Sequence, residues 1–204
     1  MKMKIKILKL TLILCFFSTI TFAQIDSEKN QIDILGNYFQ DNVFRFSEIE
    51  GAGSVENGNG FIFGINYNRK ISKRIWLSSG INYLKSINDY NPAPTGQPIS
   101  TIENLQTELL RIPIKVRIDF NKWLYFKTGV TIDSELENKN NNEIDNQSGI
   151  GYSLAIGLEL KIMKNIYFNI EPELGFTSLI AFDSERYQQH FLITGINFGL
   201  GMKF

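Results

Sequence analysis

The sequence has few of the residues that support redox or metal chemistry. It holds a single cysteine, Cys15, and a single histidine, His190, among 204 residues. An intramolecular disulfide is therefore excluded. Its 21 basic residues only balance its 21 acidic ones, so it lacks the basic excess typical of nucleic-acid-binding proteins.

Long hydrophobic runs are also scarce. The main one, Leu10–Ile20, is uncharged, follows four lysines and precedes the small residues of Thr21–Ala23. This order is typical of a secretory signal peptide, and the run is shorter than the ~20 residues that a membrane-spanning helix needs. We therefore expect a cleaved signal peptide at residues 1–23 and one domain at residues 24–204, with an uncleaved N-terminal anchor as the alternative.

Cleavage after Ala23 would leave 181 residues without cysteine, with 17 basic and 21 acidic side chains. The mature protein would then have no thiol chemistry, and its net negative charge argues against nucleic acid as a partner. No later segment is apolar for long enough to form a transmembrane helix, so any crossing of a membrane must use strands.

From residue 60 onward, apolar and polar residues alternate with period two, which predicts strands with two distinct faces. In the last segment, Phe198, Leu200 and Met202 share one face, and Gly199, Gly201 and Lys203 share the other. The pattern occurs in seven segments: 61–68, 75–83, 110–120, 124–133, 150–162, 166–176 and 191–204. Because bacterial single-chain barrels have even strand numbers, we expect an eighth strand within residues 33–49.

The connections alternate in length. Short turns lie near residues 72–73, 121–122 and 164–165, and long polar loops lie at about 85–106, 134–148 and 179–190. Tight turns at one rim and long loops at the other are typical of an up-and-down barrel.

The polar faces are rich in glycine, which suits the interior of a narrow barrel better than a surface in water. The apolar faces stay almost free of charge over nine or more residues, about the length of a membrane-crossing strand. We therefore predict an all-β fold, an eight-stranded antiparallel up-and-down transmembrane β-barrel preceded by a cleaved signal peptide. A soluble, lipocalin-like barrel with its apolar face inward is the alternative.

Two segments carry a family resemblance. Residues 198–204, Phe-Gly-Leu-Gly-Met-Lys-Phe, resemble the C-terminal strand of outer-membrane barrels, and residues 109–120, Leu-Leu-Arg-Ile-Pro-Ile-Lys-Val-Arg-Ile-Asp-Phe, resemble a strand of the PorT-like outer-membrane β-barrel domain family. The resemblance covers roughly residues 60–204. It implies location in the outer membrane of a Gram-negative bacterium and Phe204 as a signal to the barrel-assembly machinery. Some members of this family take part in secretion or gliding machinery, and others resemble small OmpX-type barrels.

Two prolines interrupt the strand pattern. Pro113 and Pro172 lie in the middle of predicted strands, where each removes a backbone donor. The sequence predicts a local bulge or kink at each.

Charged residues recur on the polar faces. The cations are Arg111, Lys115, Arg117, Lys127, Lys161 and Lys203, and the anions are Asp119, Asp133, Glu159, Glu171 and Glu173. Because buried charges must be paired, this near balance favours a structural network of ion pairs inside the lumen. A permeation or proton path is the alternative.

Catalytic signals are weak. Asp183, Ser184 and Glu185 shortly precede His190, and these residue types are those of a serine hydrolase, but their spacing is not diagnostic. The segment Glu135–Asp145 has calcium-type oxygen donors without the spacing or the glycine of an EF-hand. We predict no catalytic, cofactor-binding or metal-binding residues.

Three functions are compatible with this sequence. The first is a structural or interaction barrel that presents its long loops or supports an envelope or secretion assembly. The second is a narrow transport channel, and the third an outer-membrane lipid-modifying hydrolase. The expected partners are outer-membrane lipid, the barrel-assembly machinery and a protein bound by loops 85–106, 134–148 and 179–190.

Overall fold

The strands account for most of the chain described by the computed structural model, which covers residues 29–46, 54–55, 58–91, 103–138, 144–183 and 188–204. Within these ranges the strands are β1 Asn30–Arg45, β2 Ser54–Val55, β3 Gly58–Lys70, β4 Ile75–Asn91, β5 Glu103–Asp119, β6 Leu124–Asn138, β7 Gly149–Lys161, β8 Ile166–Ala181 and β9 Gln189–Lys203. The predicted signal peptide lies outside the described residues. No helix long and apolar enough to cross a membrane occurs in these ranges.

Eight long strands close into one antiparallel barrel, and the two-residue strand β2 pairs with the end of β4. The paired residues can be followed once around the wall. From Gln31 they run through Asn68, Ser78, Lys115, Gly129, Ser153, Gly175 and Ile193 to Asp41. The path returns ten residues further along β1, from position 31 to position 41. Such a stagger is what tilted strands require to close a barrel.

The eighth strand is β1, which begins three residues before the predicted range and ends within it, at Asn30–Arg45. It closes the barrel by pairing with β3 on one side and β9 on the other. Its alternation is weak because Leu35 and Phe39 point inward while Gly36 lies opposite Phe63 and Phe198 on the outward face. The last backbone pair of the seam joins Asn30 and Phe204, with N···O distances of 3.1 and 2.9 Å.

The two faces have the predicted orientation. Side chains such as Ile65, Ile156 and Leu200 are exposed on the outside, whereas Ser153 on the inside is 1% exposed. The apolar face therefore points outward, and the lipocalin-like alternative is wrong.

Glycines allow the lumen to be narrow. A Cβ at Gly157 would collide with the ring of Tyr125, and one at Gly129 would collide with the backbone of Ile114 on the neighbouring strand. Small residues at these inward positions leave room for the large side chains that fill the interior.

The prolines cause gaps in the ladders, so the bulge predicted at each is wrong. Beside Pro113 the β4–β5 ladder is interrupted between Ser79↔Ile114 and Asn82↔Arg111, with the same register on both sides. Beside Pro172 the β7–β8 ladder is interrupted in the same way. Each proline lacks an N–H, so the strand loses hydrogen bonds to one of its two neighbours while the pairing register stays unchanged.

Register shifts occur nearer the long loops. One lies at Glu108/Leu109 in the β5–β6 pair, and the other at Ile150/Tyr152 in the β7–β8 pair. Opposite the second, β8 accommodates additional residues around Ser178, whose φ is 42°. This bulge turns both Thr177 and Ser178 into the lumen, where they are fully buried.

Candidate functional site in the lumen

The half of the lumen nearer the short turns holds a charged layer. Its centre is Arg117, which donates to Asp119 at 2.7 Å and to Glu159 at 2.8 Å. The second carboxylate oxygen of Glu159 accepts a bond from Lys203 of the last strand. Side chains from β5, β7 and β9 thus meet inside the barrel.

Further ion pairs join β5 and β6 to other strands. Lys127 contacts Glu171 at 2.7 Å, and Lys115 contacts Glu173 at 2.7 Å. Arg111 makes two bonds to Asp133, at 2.8 and 3.2 Å. The fork geometry of that last pair is the one that Arg and carboxylate groups adopt when they bind most strongly.

Aromatic rings complete this layer. The Arg117 guanidinium lies 3.9 Å from the centre of the Tyr125 ring and 5.5 Å from that of Trp76, and the Lys203 ammonium lies 3.9 Å from that of Tyr167. The Tyr125 hydroxyl donates to Glu171 at 2.6 Å. These contacts use the ring faces to hold cations in a region closed to bulk water.

The structure brings together seven of the eight predicted lumen residues, and Lys161 is the exception. All seven lie in the charged layer: Arg111, Lys115, Arg117, Lys127, Glu159 and Glu171 are buried, and Glu173 is half-buried. Lys161 is exposed at the short-turn rim, with its ammonium 5.8 Å from the Tyr167 ring. It lies on the polar face but at the last position of β7, where the lumen opens to solvent.

Two buried acids were missed by the sequence analysis because both lie on β1. Asp33 accepts bonds from Gln31 at 2.7 Å and Asn68 at 2.5 Å. Asp41 accepts bonds from Ser86 and from Asn88, the latter at 3.0 Å. The polar residues at odd-numbered positions of β1 could have indicated its inward face, but the inward apolar residues Leu35 and Phe39 interrupt that pattern.

The half of the lumen nearer the long loops holds an apolar layer, which the sequence analysis did not predict. Its buried members come from six parts of the chain, namely Phe39, Ile62, Leu84, Leu105, Leu109, Ile144, Phe191 and Ile193. A cavity of about 20 Å³ between this layer and the charged one is bordered by Ile62, Lys115 and Glu173. That volume holds about one water molecule.

The segment Ile144–Ser148 closes the lumen from the side of the long loops. Ile144 is 1% exposed and packs into the apolar layer. Gln147 is fully buried, accepts a bond from Thr177 at 2.7 Å and donates to the backbone oxygen of Gln189 at 3.1 Å. The backbone N–H of Asp145 in turn donates to the Gln189 side chain at 3.0 Å. The segment is thereby tied to both β8 and β9.

His190 lies away from the lumen contacts. Its ring is 5.6 Å from that of Phe44 and 4.9 Å from that of Phe46, and its Nδ1 atom is buried without a hydrogen-bond partner. Asp183 is exposed, while Ser184 and Glu185 are outside the described residues. Within the described part of the chain, no cluster of His, Cys, Asp or Glu side chains could hold a metal ion.

A closed eight-stranded barrel with an apolar exterior and a polar, filled interior defines a class, the integral outer-membrane β-barrel proteins. The chain belongs to the outer membrane protein beta-barrel domain family, which matches residues 10–204. Its place is the outer membrane of Gram-negative bacteria.

Solved outer-membrane proteins are similar to this chain, and one of them, OprG, supports its fold. OprG from Pseudomonas aeruginosa is 10% identical over 87% of this chain and 97% of its own, with a TM-score of 0.54. Ail, the attachment invasion locus protein of Yersinia pestis, was solved in complex with the heparin analogue sucrose octasulfate. It is 11% identical over 86% of this chain and 99% of its own, with a TM-score of 0.46. No curated protein matches the sequence.

Proposed function

We propose that this protein is a non-conducting, non-enzymatic barrel of structural or interaction type, which presents long loops at the cell surface or supports an envelope or secretion assembly. The observation that carries the proposal is the filling of the lumen by two successive layers of side chains. The PorT-like character of residues 109–120 supports a role in an assembly.

The two layers oppose conduction in different ways. An ion entering the charged layer must separate pairs that already satisfy each other, such as Arg111 with Asp133 at 2.8 Å. In the apolar layer, the buried polar groups at the same level, Asp41 with Ser86 and Asn88, are already bonded to one another. An ion entering there would lose its water with little to replace it, which is costly. The cavity between the layers, about 20 Å³ in volume, has room for only about one water molecule.

The surroundings of His190 oppose catalysis. A histidine acting as general base must reach a nucleophile through a hydrogen bond, whereas Nδ1 of His190 is buried with no partner. Its ring packs with Phe44 and Phe46, which is an anchoring arrangement at the end of the β1–β9 seam.

A protein partner would meet the barrel through the long loops. Strands β4 and β5 continue beyond the outward Lys85–Glu108 ion pair, which marks the end of the apolar band on this side of the wall. The loops predicted at 85–106, 134–148 and 179–190 are therefore shorter than expected, because β4 continues to Asn91, β5 begins at Glu103 and β6 continues to Asn138. What remains of each loop starts from these extended strand ends. Loops held by a rigid scaffold are frequent binding elements.

Conductance in planar bilayers tests the closed lumen. We expect no single-channel steps from the folded wild-type protein under conditions in which an open porin conducts. Reproducible steps that disappear when the lumen is blocked would contradict the proposal and favour transport.

Affinity capture from solubilised outer membrane tests the interaction role. We expect a defined partner that is lost when residues 92–102 are replaced by a flexible Gly-Ser linker, and kept when the short turn at residues 72–73 is replaced instead. Equal recovery with both variants, or none with the wild type, would contradict binding through the loops.

A further inference from the structure

The three short turns share one hydrogen-bond pattern. In each, the N–H of the first residue donates to the backbone oxygen four positions later, at 2.8 Å from Ile71, 3.0 Å from Phe120 and 2.9 Å from Ile162. The sequence is matched as well, because each turn has an apolar first residue and a lysine at its third position. The fold therefore places Lys73, Lys122 and Lys164 at equivalent points around one rim.

Charge is distributed unevenly between the two rims. The turns and adjoining strand ends at residues 69–75, 119–124 and 161–166 contain seven cations and one acid, Asp119. Inside the lumen, the Asp119 carboxylate accepts hydrogen bonds from Arg117 at 2.7 Å and from Trp76 at 2.8 Å. The opposite strand ends at residues 42–46, 85–91, 103–108, 134–138, 179–183 and 188–191 contain six acids and two cations.

The basic rim also carries exposed apolar side chains beside its cations. Trp123 next to Lys122 is 52% exposed, and Met163 next to Lys164 is 62% exposed. In outer-membrane barrels the short turns face the periplasm, and aromatic residues mark the edge of the apolar band. Cations among such side chains lie at the level of lipid headgroups, because long basic side chains extend along apolar surface and keep their charge at the interface.

We propose that this rim binds the phosphate groups of anionic phospholipids in the periplasmic leaflet, with Lys73, Lys122 and Lys164 as the repeated contacts. Arg69, which is exposed on the outward face at the end of β3, and Arg74 add to the same ring of charge. A lipid of this leaflet fits better than a soluble partner, since the cations are interleaved with apolar side chains that need a membrane.

A native tryptophan provides the test. Trp123 is 52% exposed at the basic end of the barrel, whereas Trp76 is buried in the lumen, so Trp123 is the probe and the full-length folded protein needs no added label. It would be reconstituted in phosphatidylcholine vesicles that contain either brominated phosphatidylglycerol or brominated phosphatidylcholine, and quenching would be compared. We expect stronger quenching by the anionic lipid, and a loss of the difference at high salt.

The charge-removing variant is Lys73→Gln/Lys122→Gln/Lys164→Gln, and the matched control is Lys73→Arg/Lys122→Arg/Lys164→Arg. In the glutamine variant, the preference for the anionic lipid over phosphatidylcholine should fall at least about five-fold, which is the effect of removing one cation near an anionic surface. The arginine variant should keep it, and heat-modifiable mobility would verify folding of both. Equal quenching of the wild-type protein by the two lipids would overturn the proposal, and so would a wild-type preference in the glutamine variant.

Discussion

Glu171 offers a direct test of the charged layer. Its carboxylate accepts bonds from Lys127 at 2.7 Å and from the Tyr125 hydroxyl at 2.6 Å. Both partners are buried, with 4% and 1% of their surfaces exposed. Glu171→Ala therefore leaves one cation without its counter-charge and one hydroxyl without its acceptor.

The first loss costs about 3–5 kcal/mol, the usual effect of removing one partner of a buried ion pair. The second adds up to about 1–3 kcal/mol for an unsatisfied buried donor. The two costs are not additive, because the space left by the truncated side chain can admit water to both groups. We expect the free energy of unfolding to fall by about 3–5 kcal/mol.

Urea unfolding of the folded protein in detergent or lipid vesicles would measure this change, with tryptophan fluorescence and heat-modifiable mobility as the readouts. Asp183→Ala is the control, since Asp183 is exposed after β8 and its loss should stay within about 0.5 kcal/mol. Replacing the pair together, as Glu171→Leu/Lys127→Met, should restore much of the stability, because neither member of the pair is left buried without the other. The reasoning fails if Glu171→Ala is no more destabilising than Asp183→Ala.

Further predictions concern the wall and the seam. Leu154→Arg should destabilise the barrel by about 2–4 kcal/mol as a basic residue on the lipid face, and a lipid-soluble thiol probe should label Leu154→Cys but not Ser153→Cys; the reverse labelling would contradict the orientation. Gly157→Leu should lower the yield of heat-modifiable protein, because its side chain and the Tyr125 ring would occupy the same space; a normal yield would disprove that conflict. Deleting Phe204 should reduce folded protein in the outer membrane without affecting export, and an unchanged folded fraction would count against its role in assembly.

The strands of the wall could be predicted because their pattern is local. In β5, every second residue from Leu110 to Phe120 is apolar, and the alternation follows from the geometry of a single strand. β1 was harder to locate, since Leu35 and Phe39 face the lumen and remove the contrast between its two faces.

The partners inside the lumen could not be predicted. Lys115 of β5 reaches Glu173 of β8, and which residues face each other across the barrel depends on the ten-residue stagger between positions 31 and 41 of β1. That stagger belongs to the closed sheet and leaves no trace in any one segment. The burial of Ile144 is equally non-local, because its partners in the apolar layer come from five different strands. The same segment is held by the bond from Thr177 to Gln147, beside the bulge at Ser178.

The order of the two layers limits where this protein can act. A charged layer alone could rearrange to pass ions or protons, as side chains exchange partners through intervening water. Here, however, Ile144, Phe39 and Phe191 lie between that layer and the long loops, and they offer no polar group to such a relay. An event at the loops must therefore cross this apolar layer to affect the turns, and the two rims are distinct chemical surfaces. The long-loop rim is acidic and has extended strand ends, whereas the short-turn rim is basic and has tight turns. A partner of one rim would therefore be recognised independently of a partner of the other. Changes at Lys73, Lys122 and Lys164 should accordingly leave binding at the loops intact.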